Sequence, residues 1–65
     1  MLSDPSPILR YFDFAHLPPK LKLISEPFHA LAILMDEKLP AGPEKSAGLR
    51  KLLEAKDCMV RASLG

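Results

Sequence analysis

Apolar residues recur at helical spacing in two long stretches of the chain. In the first stretch they follow one another by steps of three and four, which places them on one face of an α-helix. This stripe consists of Leu21, Ile24, Phe28, Leu31, Met35 and Leu39. The second stretch carries a comparable stripe of Leu49, Leu52, Leu53, Met59, Val60 and Leu64. The spacing predicts two helices, the first over residues 19–39 and the second over residues 43–63.

The segment that joins the two stretches reads Leu-Pro-Ala-Gly-Pro-Glu over residues 39–44, a composition typical of a turn. Gly42 is expected to cap the second helix, and Pro43 to occupy its first position, where a missing N–H loses no hydrogen bond. Glu44 then lies near the positive end of the helix dipole. The two helices are therefore expected to form a hairpin.

Pro27 falls inside the first helical stretch and cannot donate a backbone hydrogen bond. One interpretation is a kink or a break near Ser25. The other is that Ser25 caps a new helix with Pro27 in its first turn, which leaves residues 19–24 as a separate piece. The pattern leaves both interpretations open.

Apolar residues outside the first stripe widen the apolar surface beyond what one partner helix covers; they are Leu23, Ala30, Ile33 and Leu34. A chain of 65 residues also lies in the size range where one core is only marginally sufficient. We therefore expect an all-α fold, a helical hairpin with a short N-terminal aromatic arm, assembled into a homo-oligomeric helical bundle.

The chain divides into an arm and one domain. Residues 1–7 are expected to form a flexible arm, because they carry turn-forming Ser, Asp and Pro and no apolar period. Residues 8–65 are expected to form the hairpin domain. Within it, residues 8–17 hold three of the four aromatic residues and are predicted to form a short turn or a helical turn that packs on the bundle.

Composition and charge exclude several classes of function. Nine basic residues against eight acidic ones give a net charge of only +1, which disfavours a helix-turn-helix DNA binder. The longest apolar run, residues 30–35, is too short to cross a bilayer, and no secretory signal is recognisable. The protein is expected to be soluble and cytoplasmic, with no DNA or membrane partner.

Catalytic and metal-binding patterns are also missing from the sequence. Cys58 is the single cysteine, and His16 and His29 lack the spacing of a metal pair. No serine elbow and no glycine-rich phosphate loop is present. The sequence therefore predicts neither an enzyme nor a bound cofactor.

Two groups of residues could instead form a binding surface. Aromatic faces stack on bases, and a helix start with a nearby lysine or hydroxyl suits a phosphate. The first group lies before the first helix and the second at the start of the second helix; together they comprise Arg10, Tyr11, Phe12, Phe14, Lys20, Glu44, Lys45 and Ser46. The combination suits a nucleotide, although the spacing of the aromatic residues alone favours a small core that caps the bundle.

The second helix has three further features. Its charged row of Arg50, Glu54, Asp57 and Arg61 is most simply a solvated face. Gly48 is costly in a helix and indicates close approach of another backbone or a ligand. Lys56 lies on the apolar side and either extends to solvent or contacts a buried phosphate.

Two strings of residues together resemble a known family. Residues 12–16 read Phe-Asp-Phe-Ala-His, and residues 43–55 read Pro-Glu-Lys-Ser-Ala-Gly-Leu-Arg-Lys-Leu-Leu-Glu-Ala. In these strings and their order the chain resembles small phage helical-hairpin proteins related to the anti-CBASS and anti-Thoeris cyclic-nucleotide sponges. It departs from the pattern at Ala15, Gly48 and Lys56. The matching positions are Phe12, Phe14, His16, Glu44, Lys45, Ser46, Leu49, Lys51, Leu52, Glu54 and Ala55.

The resemblance implies a homo-oligomer, a hexamer, that captures cyclic di- or trinucleotide signals without cleaving them. Sequestration would block bacterial anti-phage signalling, and a phage-encoded protein would act in the host cytoplasm. We assign base stacking to Tyr11 or Phe12 and phosphate contacts to Lys45 and Ser46, with further cations as additional contacts. The candidate ligand-binding residues are Arg10, Tyr11, Phe12, His16, Lys20, Lys45, Ser46 and Arg50.

The alternative is a structural or protein-interaction hairpin with no small-molecule ligand. Its surplus apolar surface would dock on a different protein. Such a chain would be monomeric or poorly soluble alone, whereas a sponge would form one discrete oligomer.

Overall fold

The computed structural model of the protein describes residues 6–65, which form three helical elements. A 3-10 helix covers Pro7–Phe12, α1 covers Pro19–Lys38 and α2 covers Pro43–Ser63. No strand occurs within these described residues. α1 and α2 pack as a hairpin, and the 3-10 helix packs on both. The all-α hairpin is thus confirmed, whereas its assembly into an oligomer stays a prediction.

α2 begins and ends where the sequence predicted. Gly42 precedes the helix, Pro43 is its first residue and Ser63 its last. The carbonyl of Gly42 accepts a hydrogen bond from the N–H of Ser46 at 3.0 Å. Because the fixed φ of proline suits the first helical position, Pro43 specifies the start of α2 without leaving a donor missing.

α1 runs through Pro27 without a break. The interpretation in which Ser25 caps a separate helix is therefore wrong, since Ser25 lies inside the continuous helix. Pro27 deprives the carbonyl of Leu23 of its usual intrahelical donor. Leu23 is 76% exposed, so this side of α1 faces solvent, where water can bind a carbonyl that lacks an intrahelical donor.

The core lies where the 3-10 helix packs against both long helices. Its buried apolar members are Leu9 and Phe12 from the 3-10 helix, Ala32 from α1 and Leu49 from α2. Partly buried side chains surround them, namely Ile8, Phe28, Ile33, Leu52 and Leu53. The 3-10 helix therefore contributes to the core together with α1 and α2, in agreement with the prediction that the aromatic residues form a small core that caps the bundle.

The buried face of α1 differs from the predicted stripe. Its buried residues are Ser25 and Ala32, whereas Leu31 and Leu39, both members of the stripe, are 43% and 47% exposed. The physical reason is that α1 has two neighbours, the 3-10 helix and α2, so its buried line lies between them. A prediction that assumes one partner helix therefore places the buried face of α1 at the wrong rotation about the helix axis.

Two lysines of α2 bind carbonyl groups of the other two elements. Lys45 Nζ donates to the carbonyl oxygens of Asp36 at 2.9 Å and Leu39 at 3.0 Å, near the end of α1. Lys56 Nζ donates to the carbonyl oxygen of Tyr11 at 3.0 Å, near the end of the 3-10 helix. Helix ends leave such carbonyls without intrahelical donors, so each ammonium group caps a helix from outside.

Ser6 ties the start of the described chain to α1. Its backbone N–H donates to Asp36 Oδ2 at 3.3 Å, and its hydroxyl donates to Asp36 Oδ1. Pro7 begins the 3-10 helix. Of the arm predicted over residues 1–7, residues 1–5 lie outside the described part of the chain. Ser6 and Pro7 belong to the folded domain instead, because α1 supplies an acceptor that the local pattern does not reveal.

Candidate functional site

An open groove of about 340 Å³ lies between the C-terminal half of α2 and the end of the 3-10 helix. We call it the Tyr11 groove. Its lining from α2 is Lys56, Asp57, Val60 and Arg61, and its lining from the N-terminal segment is Arg10, Tyr11, Asp13, His16 and Leu17. Three of the eight candidate residues from the sequence, Arg10, Tyr11 and His16, therefore lie together.

Arg10 and Tyr11 form a pair at the edge of this groove. The guanidinium Nη2 of Arg10 donates to the hydroxyl of Tyr11 at 2.9 Å, and its Cζ lies 4.9 Å from the centre of the Tyr11 ring. The hydrogen bond to the Tyr11 hydroxyl raises the pKa of Arg10 above its already high ordinary value. Tyr11 remains 54% exposed although Arg10 covers one face of its ring, so a base would stack on the other face.

The cations of α2 in the groove differ in their availability. Lys56 Nζ lies 3.1 Å from Asp57 Oδ1 and donates to the Tyr11 carbonyl, and its side chain is only 12% exposed. It therefore holds the groove together rather than reaching solvent or a phosphate. Arg61 is exposed, and its guanidinium contacts Cys58 Sγ at 3.5 Å. Arg10 and Arg61 have no carboxylate partner among residues 6–65.

The three aromatic residues of the N-terminal segment have three different environments. Phe12 is fully buried in the core. The Phe14 ring meets the His29 ring edge-on, with 5.1 Å between the centroids, so it packs against α1. Only Tyr11 lies exposed at the groove. We therefore reassign Phe12 from the ligand-binding set to the core, because a ring with no exposed face cannot stack on a base.

Lys45 also has a structural environment rather than a free ammonium group. Besides the carbonyl oxygens of Asp36 and Leu39, its Nζ lies 3.0 Å from Asp36 Oδ1, and the side chains of Lys45 and Asp36 are 12% and 10% exposed. A lysine ammonium has three donors, and three acceptors already surround this one. A phosphate would have to displace these partners in order to bind Lys45.

The other candidates from the sequence lie outside the Tyr11 groove. Lys20, Ser46 and Arg50 are all exposed, and none of them lines it. Ser46 lies in the first turn of α2, about 22 Å of helical rise from Arg61. One copy of the chain therefore does not bring the start of α2 and the Tyr11 groove into one site.

Sequence reasoning missed the contribution of α2 to the groove. Asp57 and Arg61 belong to the charged row that was interpreted as a solvated face, and Arg50, Glu54 and Arg61 are indeed exposed. Lys56 was noticed as a charge on an apolar face. The groove could have been predicted from Lys56, Asp57 and Arg61, which lie close together along one helix. Such a cluster of charged residues indicates that this surface faces another polar segment.

A second cavity lies at the hairpin turn, at the other end of α2. This cleft has a volume of about 610 Å³ and is mostly apolar. We call it the tip cleft. The first turns of α2, the interhelical turn and the last turns of α1 line it, and its lining includes Leu31, Met35, Leu39, Gly48, Leu49 and Leu52.

The described residues lack the patterns of a metal site and of a membrane-spanning helix. No group of three or more His, Cys, Asp or Glu side chains that could bind a metal ion occurs within residues 6–65. In the same part of the chain no helix has the length and apolar character needed to span a membrane.

Comparisons with protein-family models, with curated proteins and with solved structures give no match to this chain. The chemistry of the Tyr11 groove therefore follows from the geometry of its own residues.

Proposed function

We propose that this protein binds cyclic di- or trinucleotide signals and sequesters them without cleaving them, as a homo-oligomer. The observation that carries the proposal is the exposed Tyr11 ring, paired with Arg10 at a groove that also contains His16 and Arg61. The resemblance to phage cyclic-nucleotide sponges supports the same ligand class. In a host cell, such capture would block anti-phage signalling.

The chemistry of the groove suits a base next to a phosphate. An aromatic face stacks on any base, with a contribution of about 1–3 kcal/mol per base. Arg10 and Arg61 are cations without carboxylate partners among the described residues, and a guanidinium can bind two phosphate oxygens at once. Asp13 and Asp57 disfavour highly anionic polymers but can accept hydrogen bonds from the exocyclic amine of a base.

The groove of one copy contacts only part of such a ligand. A cyclic dinucleotide repeats one base, one sugar and one phosphate, so two grooves related by symmetry would contact both halves equally. Nanomolar binding corresponds to about 12 kcal/mol, which two engaged half-sites can supply more readily than one. Oligomerisation is therefore part of the proposal.

Isothermal titration with a panel of cyclic di- and trinucleotides tests the proposal directly. We expect at least one member to bind, and the recovered ligand to be intact when analysed by chromatography. The absence of heat for every member of the panel would contradict the proposal. Recovery of a cleaved product would contradict sequestration.

Two substitutions of Tyr11 form a matched pair for this titration. Tyr11→Phe keeps the stacking face, so it should retain most of the affinity. Tyr11→Ala removes that face and should weaken binding by roughly 5-fold to 150-fold. Glu37→Ala changes an exposed residue of α1 that does not line the groove and serves as the control. Equal affinities for all three variants would exclude the Tyr11 groove as the site.

A protein-interaction hairpin is the second candidate, and the exposed leucines favour it. Leu23, Leu34 and Leu64 are 76%, 43% and 66% exposed and line neither cavity. Such side chains suit the surface of another protein. Light scattering on the purified chain separates the candidates: one discrete oligomer favours the sponge, and a monomer or an ill-defined aggregate favours the interaction module.

A further inference from the structure

Gly48 occupies a costly position that no contact within the chain explains. It lies in the sixth position of α2, where glycine reduces helix stability by about 1 kcal/mol relative to alanine. A Cβ added at Gly48 would meet no atom within 4 Å. Among residues 6–65, therefore, nothing requires the absence of a side chain. Gly48 lies at the edge of the tip cleft, where something outside the chain could approach closely.

Charged residues flank Gly48 on the same face of α2. Glu44, Gly48, Lys51 and Ala55 follow one another by steps of four, three and four, which aligns them along the helix. Glu44 and Lys51 are exposed, and neither has an ion-pair partner in the described part of the chain. Along this face an acidic residue precedes Gly48 and a basic residue follows it. If two copies of the helix pack antiparallel, the acidic residue of each copy lies opposite the basic residue of the other.

The tip cleft beside this face combines protruding and recessed apolar groups. Leu31 and Leu39 are 43% and 47% exposed and line the cleft, and Gly48, with open space where its side chain would be, lines the same cleft. A two-fold interface requires one surface that fits a copy of itself. Protruding leucines next to an open space meet that requirement.

We propose that the tip cleft and the Gly48 face of α2 pack against the same surface of a second copy, with the two α2 helices antiparallel. A two-fold axis midway between positions 44 and 51 would place Glu44 opposite the partner's Lys51, and Lys51 opposite the partner's Glu44. Because the axis is two-fold, forming one of these ion pairs also forms the other. This inference deepens the oligomeric part of the proposed function and rests on it.

This arrangement leaves the nucleotide site accessible. Glu44 and Arg61 are separated by about 26 Å of helical rise, so the interface and the Tyr11 groove lie at opposite ends of α2. Each dimer would display two separate grooves. Binding to a cyclic ligand through two half-sites would then require grooves from different dimers, which makes this dimer a building block of a larger assembly.

Charge reversal with rescue tests the interface on the full chain. Glu44→Lys and Lys51→Glu each place like charges opposite one another twice in a dimer, so each should raise the dimer dissociation constant at least about tenfold. The double variant with both changes restores the opposite charges and should return the constant to within about threefold of wild type. Sedimentation equilibrium at low salt measures these constants, because salt screens exposed ion pairs.

Two further variants make the outcome decisive. A Cβ at position 48 meets no atom within 4 Å, so Gly48→Ala should form the helix at least as well as wild type by circular dichroism while its added side chain weakens the association. Glu54→Lys makes the same charge change as Glu44→Lys at an exposed position off this face and should leave the dissociation constant unchanged. A monomeric wild type, or a double variant that dissociates as readily as the single ones, would overturn the proposed interface.

The two proposals fail in different ways. If charge reversal leaves the mass unchanged but cyclic nucleotides bind, the interface is wrong and the proposed function stands. If the interface behaves as described but no cyclic nucleotide binds, the proposed function fails and the dimer remains.

Discussion

The ammonium group of Lys45 lies 3.0 Å from the carboxylate of Asp36 and 2.9 Å from the carbonyl oxygen of the same residue. One lysine near the start of α2 thus binds both the side chain and the backbone of one residue near the end of α1. The same carboxylate accepts two hydrogen bonds from Ser6. Asp36 therefore joins the N-terminal segment to both helices of the hairpin.

Replacing Lys45 should destabilise the hairpin. Lys45→Met keeps most of the apolar stem but removes the donor for the carbonyls of Asp36 and Leu39 and the ion pair with Asp36. We expect the free energy of unfolding to fall by about 1–3 kcal/mol. Urea denaturation at one fixed protein concentration measures the change. Lys38→Met, at an exposed position, should change stability by less than about 0.5 kcal/mol; equal effects of both variants would argue against the cap.

Stability should fall in acid because of Asp36. The hydrogen bond from Ser6, followed by Lys45, holds the pKa of Asp36 below its ordinary value of 3.8. A depressed pKa in the folded state contributes stability that is fully present above the unfolded pKa. That contribution is lost as the pH falls from about 4 through the folded pKa.

Asp36→Asn removes this titration and is the variant that checks it. Its unfolding free energy should depend less steeply on pH below about 4 than that of the wild type. Glu37→Gln, the neighbouring exposed carboxylate, should keep the wild-type slope. Identical slopes for wild type and Asp36→Asn would show that Asp36 is not the responsible group.

Ser25→Ala should stabilise the protein. The side chain of Ser25 is fully buried, and its hydroxyl has no hydrogen-bond partner among residues 6–65. Alanine removes an unsatisfied polar atom at nearly constant volume and is a better helix former. We expect a gain of about 0.5–2 kcal/mol in thermal or urea unfolding.

Ser63 provides the opposite case. Its hydroxyl donates to the carbonyl of Val60 at 2.7 Å, so Ser63→Ala removes a hydrogen bond that is made. That variant should bring no comparable gain. A loss of stability in Ser25→Ala would mean that its hydroxyl has an essential partner.

Phe12 and Tyr11 are neighbours in sequence whose substitutions should have opposite consequences. Phe12→Ala empties the largest buried side chain of the core and should reduce stability by about 3–5 kcal/mol. Tyr11→Ala alters an exposed residue and should change stability by less than about 0.5 kcal/mol while it weakens nucleotide binding. Circular dichroism melts give the first comparison. A Phe12→Ala protein as stable as wild type would refute its role in the core.

The sequence was sufficient for the elements that local signals define. Pro43 marks the start of α2 through its fixed φ, and the boundary predicted at Ser63 is observed. The hairpin followed from the turn composition around Gly42. Such features depend on residues within a few positions of one another, which a single sequence displays directly.

The parts that depended on distant partners could not be predicted in the same way. The rotation of the buried face toward Ser25 and Ala32 arises because the 3-10 helix also packs on α1. Lys45 was predicted to contact a phosphate, but its ammonium group donates to the carbonyls of Asp36 and Leu39, which both lie outside α2. The Tyr11 groove could not be predicted because it depends on how α2 packs against the N-terminal segment, and no local sequence pattern shows that packing.

The capping of two elements by lysines of α2 has a consequence for how the chain folds. Neither α1 nor the 3-10 helix has these donors at its carbonyls until α2 docks, because Lys45 and Lys56 both belong to α2. A growing chain that has reached only the interhelical turn would carry frayed helix ends and an open core. The ends of α1 and of the 3-10 helix should therefore become ordered only once α2 has been synthesised and has docked against them.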